Sequence, residues 1–266
     1  MNEVVFIKLG GSLITDKSTP LTPNINNIKF LSEELARLFE NHPETQFILG
    51  HGSGSFGHHV ANQYQTRKGV YSNEQWKGFL DVWQAVRELN NLVMLEFQKL
   101  KFPCIAIPPS VTFLAKNGKP QKFFFEVVDQ VIKAKLIPVV FGDVVFDSVL
   151  NGTIFSTEDV FFHLAHRYKP GKILLAGIDD GIFADFPNNS QLIEKITPEN
   201  FPELMKSIGK SRNTDVTGGM IDKVTIMIGL LKDLPNLQIA VFSGRQSGIL
   251  EKAMAHQKIG TWIEQE

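Results

Sequence analysis

The chain has 266 residues, 43% of them apolar and 21% charged, with a formal net charge of −1. That length and apolar content suffice for one large α/β core or two closely joined halves, and near-neutrality leaves no global field to draw nucleic acid or a membrane surface. A lone cysteine, Cys104, excludes an internal disulfide and suits a reducing compartment.

The N-terminus, MNEVVFIKLGG, carries an early acid and only a short apolar run, so it does not fit a signal peptide. Nothing approaches the ~20 consecutive apolar residues of a membrane span. A soluble, cytoplasmic protein is expected.

In chain order, VVFIKLG (4–10) has the β-branched, apolar character of a buried strand. Ile28, Leu31, Leu35 and Leu38 then repeat at helical spacing. QFILG (46–50) is a second strand, and the stretch 74–101 is a long amphipathic helix through Trp76, Phe79, Leu80, Trp83, Val86, Leu89 and Val93. Ser72 and Gln75 have capping-box spacing at its start. CIAIP (104–108) and LIPVVFG (136–142) continue the strand series, followed by DVVFDSVLNGTIFS, two strand-like runs joined by Asn151-Gly152, the dipeptide that most favours a type I′ hairpin. KILLAG (172–177) and QIAVFSG (238–244) complete the set. The alternation predicts an α/β fold: a three-layer αβα sandwich around a mainly parallel sheet, with ligands beyond the C-terminal strand ends.

Three glycine-rich turns lie at such ends. HGSGSFGHH (51–59) spells G-x-G-x-x-G, yet KGVYSNEQWK (68–77) offers no strand-ending acid about 20 residues on, as a dinucleotide fold would require. No G-x-x-x-x-G-K-[ST] occurs either. What remains is a loop whose bare backbone amides can approach an anion at a helix N-terminus, with His58 as an added donor; His59 reads as a surface residue. In IKLGGSLITDK, a lysine inside a buried strand is costly without a partner, so Lys8 before Gly10-Gly11 reads as a charge aimed at phosphates. Lys17 follows just beyond the turn, where a solvated loop lysine fits equally well. In NTDVTGGMIDKV, Gly218-Gly219 open a helix with Lys223 one turn in. Several anion corners with cations suit phosphoryl transfer, which needs positioning and neutralisation of oxygen charge.

KLGGSLITDK, HGSGSFGH, GDVVFD, AGIDDGIFADFP and TDVTGGMIDKV occur in the order found in the amino acid kinase family, which the whole chain resembles. Within it, the histidine ending the second glycine loop (G-x-F-G-H) resembles the isopentenyl phosphate kinase branch. The resemblance implies ATP and Mg2+ as cofactors and phosphorylation of isopentenyl phosphate to the diphosphate, on an alternate mevalonate route to isoprenoids. The runner-up is a related kinase of a phosphonate such as fosfomycin, or of another small alkyl phosphate. A homodimer is implied too, as is one kinase domain (1–266) with an acceptor-binding half (about 1–168) and a nucleotide-binding half (169–266).

Carried over by position, Lys8, Gly10, Gly11 and Ser12 would hold the transferring group and ATP phosphates, with Lys17 stabilising charge in the transition state. Gly52, Ser53 and Gly54 would bridge ATP and acceptor, His58 would bind the acceptor phosphate, and the backbone near Ser156-Thr157 would complete that site. Asp143 would orient the lysines; as a carboxylate after a glycine it also fits a turn cap. Asp180, Gly218, Gly219 and Lys223 would contact the nucleotide. Ser53 stands where the usual loop has a third glycine, Thr157 where relatives often have glycine, and Ile178 where an acid usually precedes the Asp180 position. No side-chain cage for Mg2+ is evident, and an ion held chiefly by ATP phosphates and water fits. Phe79, Val82, Trp83, Val86 and Leu89 are candidates for the wall around the acceptor's apolar part; the same stripe fits a core face against the sheet, and periodicity does not separate the two.

Overall fold

The computed structural model describes residues 3–185, 188–208 and 219–266. From the N-terminus, β1 (Val4–Leu9) leads through a short helix, α1 (Gly11–Ile14), into α2 (Ile25–Asn41). β2 (Gln46–His51) turns into α3 (Gly54–Tyr64), followed by the long α4 (Asn73–Lys99). β3 (Cys104–Ala106) and α5 (Pro109–Thr112) precede a hairpin of β4 (Phe113–Lys116) and β5 (Lys119–Phe123), and then α6 (Phe125–Lys133). Next come β6 (Ile137–Phe141), the hairpin β7 (Asp143–Asp147) and β8 (Asn151–Phe155), and α7 (Thr157–Tyr168). β9 (Lys172–Gly177) is followed by the short strands β10 (Ile182–Phe183), β11 (Leu192–Ile193) and β12 (Lys195–Ile196). The chain closes with α8 (Phe201–Ile208), α9 (Gly219–Asp233), β13 (Gln238–Ser243), α10 (Ile249–Met254) and β14 (Thr261–Ile263).

Eight strands form one sheet in the order β12-β14-β13-β9-β1-β2-β6-β3, parallel throughout except for the β13–β14 pair. β1 therefore sits between the strands of residues 46–141 and those of residues 172–263. Alternation along the strands builds a core on each face. Val5, Ile7 and Leu9 pack with Ile28, Leu31, Leu35 and Leu38 of α2, with Leu89, Val93 and Phe97 of α4, and with Leu250 and Met254 of α10. Phe6 packs on the other face with Phe161 and Leu164 of α7 and Val224, Met227 and Leu231 of α9. This is the expected three-layer αβα sandwich. A separate four-stranded sheet, β5-β4-β7-β8, contacts α4 through β7. Among the described residues no helix is long and apolar enough to cross a membrane.

Two local expectations need correction. Asn151-Gly152 is not the centre of the β7–β8 turn: Ser148, Val149 and Leu150 make the connection, and Asp147 pairs with Asn151. Asp147 decides this, because its buried carboxylate accepts from the N–H groups of Val149 and Leu150 at 2.8 Å each, and from Asn117 at 2.9 Å and Gly118 at 2.7 Å. Asn151 still adopts a left-handed backbone (φ 60°), and its Nδ2 donates to the Val70 carbonyl at 2.8 Å. The Asn-Gly pair that does form a two-residue hairpin turn is Asn117-Gly118, with φ of 51° and 72° between β4 and β5. At the start of α4, Ser72 Oγ accepts from the Gln75 N–H at 3.2 Å, but Gln75 Oε1 accepts from Tyr71 rather than Ser72, so only half of the capping box forms.

Asp147 thus holds two hairpin turns with one side chain. Asp147→Ala should destabilise the fold by about 1–3 kcal/mol, because four backbone donors in two turns lose a charged acceptor. Urea unfolding of wild type and variant measures the difference; equal midpoints would show that the turns hold themselves.

Candidate active site

The site is built where β1 and β2 end side by side, with Leu9 opposite His51. Their glycine turns touch backbone to backbone. A Cβ on Gly11 would stand 2.3 Å from the Gly54 nitrogen, and one on Gly52 would stand 2.6 Å from the Gly11 nitrogen. Gly54 also has φ of +49°, which favours glycine. Thr15 staples the two turns: its hydroxyl donates to the Gly11 carbonyl at 2.7 Å and accepts from the Ser55 N–H at 3.0 Å.

This packing decides which amides face a ligand. The Gly10 N–H bonds the Ala176 carbonyl at 2.7 Å, and the Gly52 N–H bonds the Leu9 carbonyl at 2.9 Å. Among the described residues, the N–H groups of Gly11 and Ser12 at the start of α1, and of Ser53 and Gly54 at the start of α3, have no backbone acceptor. Gly52, expected to donate to a ligand, therefore supplies close approach instead of its amide. Helix-start donors gathered in this way favour an anion.

The third wall is the start of α7. Ser156 and Asp159 form a reciprocal capping box that fixes the first turn. Thr157, fully buried, donates its hydroxyl to the His51 carbonyl at 2.6 Å. Glu158 follows, also buried, and accepts from Lys8 Nζ at 2.5 Å. Burial alone would raise the Glu158 carboxyl, but the Lys8 and Lys223 charges and the Lys8 hydrogen bond outweigh it and hold the group below its ordinary range. Lys223, one turn into α9, thus acts on the same carboxylate as Lys8. Glu158 was not singled out from sequence, since an acid in a capped first turn has an ordinary explanation as a helix-dipole partner.

Asp143, expected to orient the lysines, is fully buried, and its carboxylate accepts from Ser110 N–H at 3.1 Å and Val144 N–H at 2.8 Å. A carboxylate in contact with Lys8 is that of Glu158. Burial pushes the Asp143 carboxyl up to about 6, against its hydrogen bonds and the Arg87 charge. His51 is likewise buried. Its Nε2 lies 3.2 Å from Asn90 Oδ1 and its Nδ1 3.1 Å from the Gly52 carbonyl, while its ring stacks on Phe141 at 5.3 Å. Burial, helped by the Lys8 charge, holds its pKa below the ordinary imidazole value. His58 is half-buried one turn into α3, and His59 is exposed.

α4 divides its apolar stripe. Leu89, Val93 and Phe97 belong to the main core under the sheet. Phe79, Val82 and Val86 belong to a separate cluster with Ala61, Val70, Phe141 and Val144, and Trp76 and Trp83 pack at its margin. Leu89 is therefore core, and the acceptor-wall reading is left to Phe79, Val82, Val86 and Trp83. Lys17 is exposed and lines a cavity of about 720 Å³ with Ser12, Thr15, Asn24, Ile178 and Arg245. Asp180 is exposed in the turn after β9, Gly219 begins α9, and Gly218 lies outside the described residues. Among the described residues no group of three or more His, Cys, Asp or Glu is placed to hold a metal ion.

Two lysine charges acting on one buried carboxylate, beside helix starts whose amides have no backbone acceptor among the described residues, match the anion chemistry read from the three glycine-rich turns. The amino acid kinase family profile matches residues 3–243. The chain belongs to the amino acid kinase family. This kinase is 30% identical over 268 residues to the isopentenyl phosphate kinase of Methanocaldococcus jannaschii, with 98% of each chain covered. It is 26% identical to that of Methanothermobacter thermautotrophicus, again over 98% of each. A solved isopentenyl phosphate kinase shares its fold with a TM-score of 0.80 at 22% identity, covering 98% of this chain and 99% of that one. The resemblance drawn from the motifs is borne out for the family and for its isopentenyl phosphate kinase members.

Asp143 gives this kinase a pH signature. Its carboxyl has an ordinary value of 3.8 and a folded value of about 6, so the native state holds the proton more tightly than the unfolded chain. Its contribution to stability therefore falls as pH rises between about 4 and about 6, and levels off above. Asp143→Asn removes that titration, so thermal unfolding across this window should move in favour of the variant as pH rises. A difference that does not vary with pH would show that Asp143 does not titrate there.

Proposed function

We propose that this kinase transfers the γ-phosphoryl group of ATP to isopentenyl phosphate, giving isopentenyl diphosphate on an alternate mevalonate route to isoprenoids. The observation that carries this reading is α3. It begins at the paired glycine turns, places His58 one turn in, and contributes Ala61 to the apolar cluster of Phe79, Val82 and Val86. Ala61 lies seven positions beyond Gly54, which is roughly 10 Å of helix. That is the reach of a phosphate with a short hydrocarbon tail. The names of the relatives point to the same acceptor.

Each group then has a task. The amides of Gly11, Ser12, Ser53 and Gly54 and the Lys8 ammonium hold the transferring phosphoryl oxygens. Lys223 reaches the nucleotide phosphates, and Glu158 keeps both lysines aimed. Lys17 meets charge that grows on the transferring group. His58 and the Thr157 amide take the acceptor phosphate, whose oxygen attacks the γ-phosphorus as the ADP oxygen leaves. Mg2+ bound to the ATP phosphates and water would neutralise their charge, which suits a site where the described residues form no carboxylate cage. Residues up to about 168 serve the acceptor, those from 169 the nucleotide, and the working unit is a cytoplasmic homodimer.

The test is a coupled ADP-release assay over alkyl and prenyl phosphates of increasing length, with fosfomycin and acetylglutamate alongside. A five-carbon prenyl phosphate should give the highest kcat/KM. A preference for fosfomycin would favour the phosphonate reading, and one for acetylglutamate would overturn the acceptor assignment. His58→Ala should lower kcat/KM for the acceptor by about 2–3 kcal/mol, whereas His59→Ala should be nearly silent.

Glu158→Gln keeps the side chain's shape and removes its charge. It should lower kcat by roughly 10²–10³ on protein shown to be folded by circular dichroism. Wild-type kcat would show that the lysines need no carboxylate to aim them.

A further inference from the structure

The cavity lined by Lys17 opens at the C-terminal ends of β1, β9 and β13, which are neighbours in the sheet. Ser12 and Thr15 bring the first glycine turn to its lining, and Ile178 and Arg245 bring the chain that follows β9 and β13. Its remaining lining is rich in hydroxyls and amides, including Thr22, Asn24 and Asn26. Asp16 is the acid at its rim, and that carboxylate already accepts from the Ser18 N–H at 2.8 Å and the Ser18 hydroxyl at 2.7 Å. Among the described residues neither Lys17 nor Arg245 has a carboxylate partner. Two cations against one carboxylate leave this polar lining with a net positive charge, which favours an anion.

The turn that carries Arg245 is anchored on both sides. The Gly244 N–H bonds the Gly177 carbonyl at 2.9 Å, and a Cβ there would stand 2.6 Å from Leu13 Cδ2. Glu34 of α2, a buried carboxylate with no task in the chemistry above, accepts from Ser247 Oγ at 2.9 Å and from the Gly248 N–H at 2.6 Å. Arg245 itself stays exposed between these anchors. A fixed turn that presents one exposed guanidinium suits the planar, forked recognition of phosphate oxygens.

We propose that Arg245 is a further donor-binding residue, engaging the phosphate arm of the nucleoside triphosphate in the cavity it shares with the first glycine turn. This rests on the kinase reading above. The test titrates ATP against wild type, Arg245→Ala and Arg245→Lys, both by calorimetric binding without acceptor and by KM at saturating isopentenyl phosphate. Arg245→Ala should raise both the ATP Kd and the ATP KM by about tenfold or more, as expected for a lost charge-assisted bond, and Arg245→Lys should recover part of it. The acceptor KM should stay close to wild type. Unchanged ATP binding in Arg245→Ala, or a rise confined to the acceptor KM, would overturn the proposal. Wild type that binds ATP yet leaves isopentenyl phosphate untouched would sink the acceptor assignment while leaving the Arg245 result to stand by itself.

Discussion

The Lys8–Glu158 ion pair is the constraint around which the molecule is organised. Both side chains are buried, and stripping two charges of water costs several kcal/mol per ion unless geometry and neighbours offset it. Here Lys8 and Lys223 both act on one buried carboxylate, and their charges with the Lys8 hydrogen bond outweigh the cost of burying it. Under the proposed reading, the same pair that ties β1 to α7 also holds Lys8 where it meets a phosphate oxygen.

Its position follows from strand alternation. Phe6 and Lys8 point to the α7 face of β1, while Val5, Ile7 and Leu9 point to the α2 face. Phe6 packs on Phe161 of α7 with ring centroids 5.0 Å apart, and the capping box at Ser156 and Asp159 sets the helix start two residues before Glu158 is needed. Thr157 adds a tie to the end of β2 through the His51 carbonyl. Three neighbouring chain segments are thus locked before any ligand arrives, which is the condition for fixed dipoles to act without reorganisation.

The fold and the anion-binding turns were legible because they rest on short-range signals. Strand and helix periods survive as patterns in sequence, and glycine at Gly11, Gly52 and Gly54 reports a backbone approach that no side chain tolerates. What escaped was decided by distant partners. Asn151-Gly152 has the composition of a tight turn, yet Asp147, held also by Asn117 and Gly118, places the turn elsewhere. Glu158 looked like a helix-start acid because local rules already explain one there; its contact with Lys8 spans 150 residues. The stripe on α4 has one period but two destinations, since the helix runs past the edge of the sheet core and its early turns meet α3 and β7 instead.

That division of α4 bears on specificity under the proposed reading. The amides at the starts of α1 and α3 lie on two turns packed backbone to backbone, and in that reading a phosphate, with more oxygens than a carboxylate, uses more of them. Phe79, Val82 and Val86 offer hydrogen bonds to nothing; a polar tail pressed against them would lose water without replacement. A ligand thus meets two filters in series along one helix, and each rejects what the other would accept. Inorganic phosphate satisfies the first and gains nothing from the second, whereas a hydrocarbon without a phosphate is left at the second. Only a molecule that carries both ends, separated by about two turns of α3, uses the whole site.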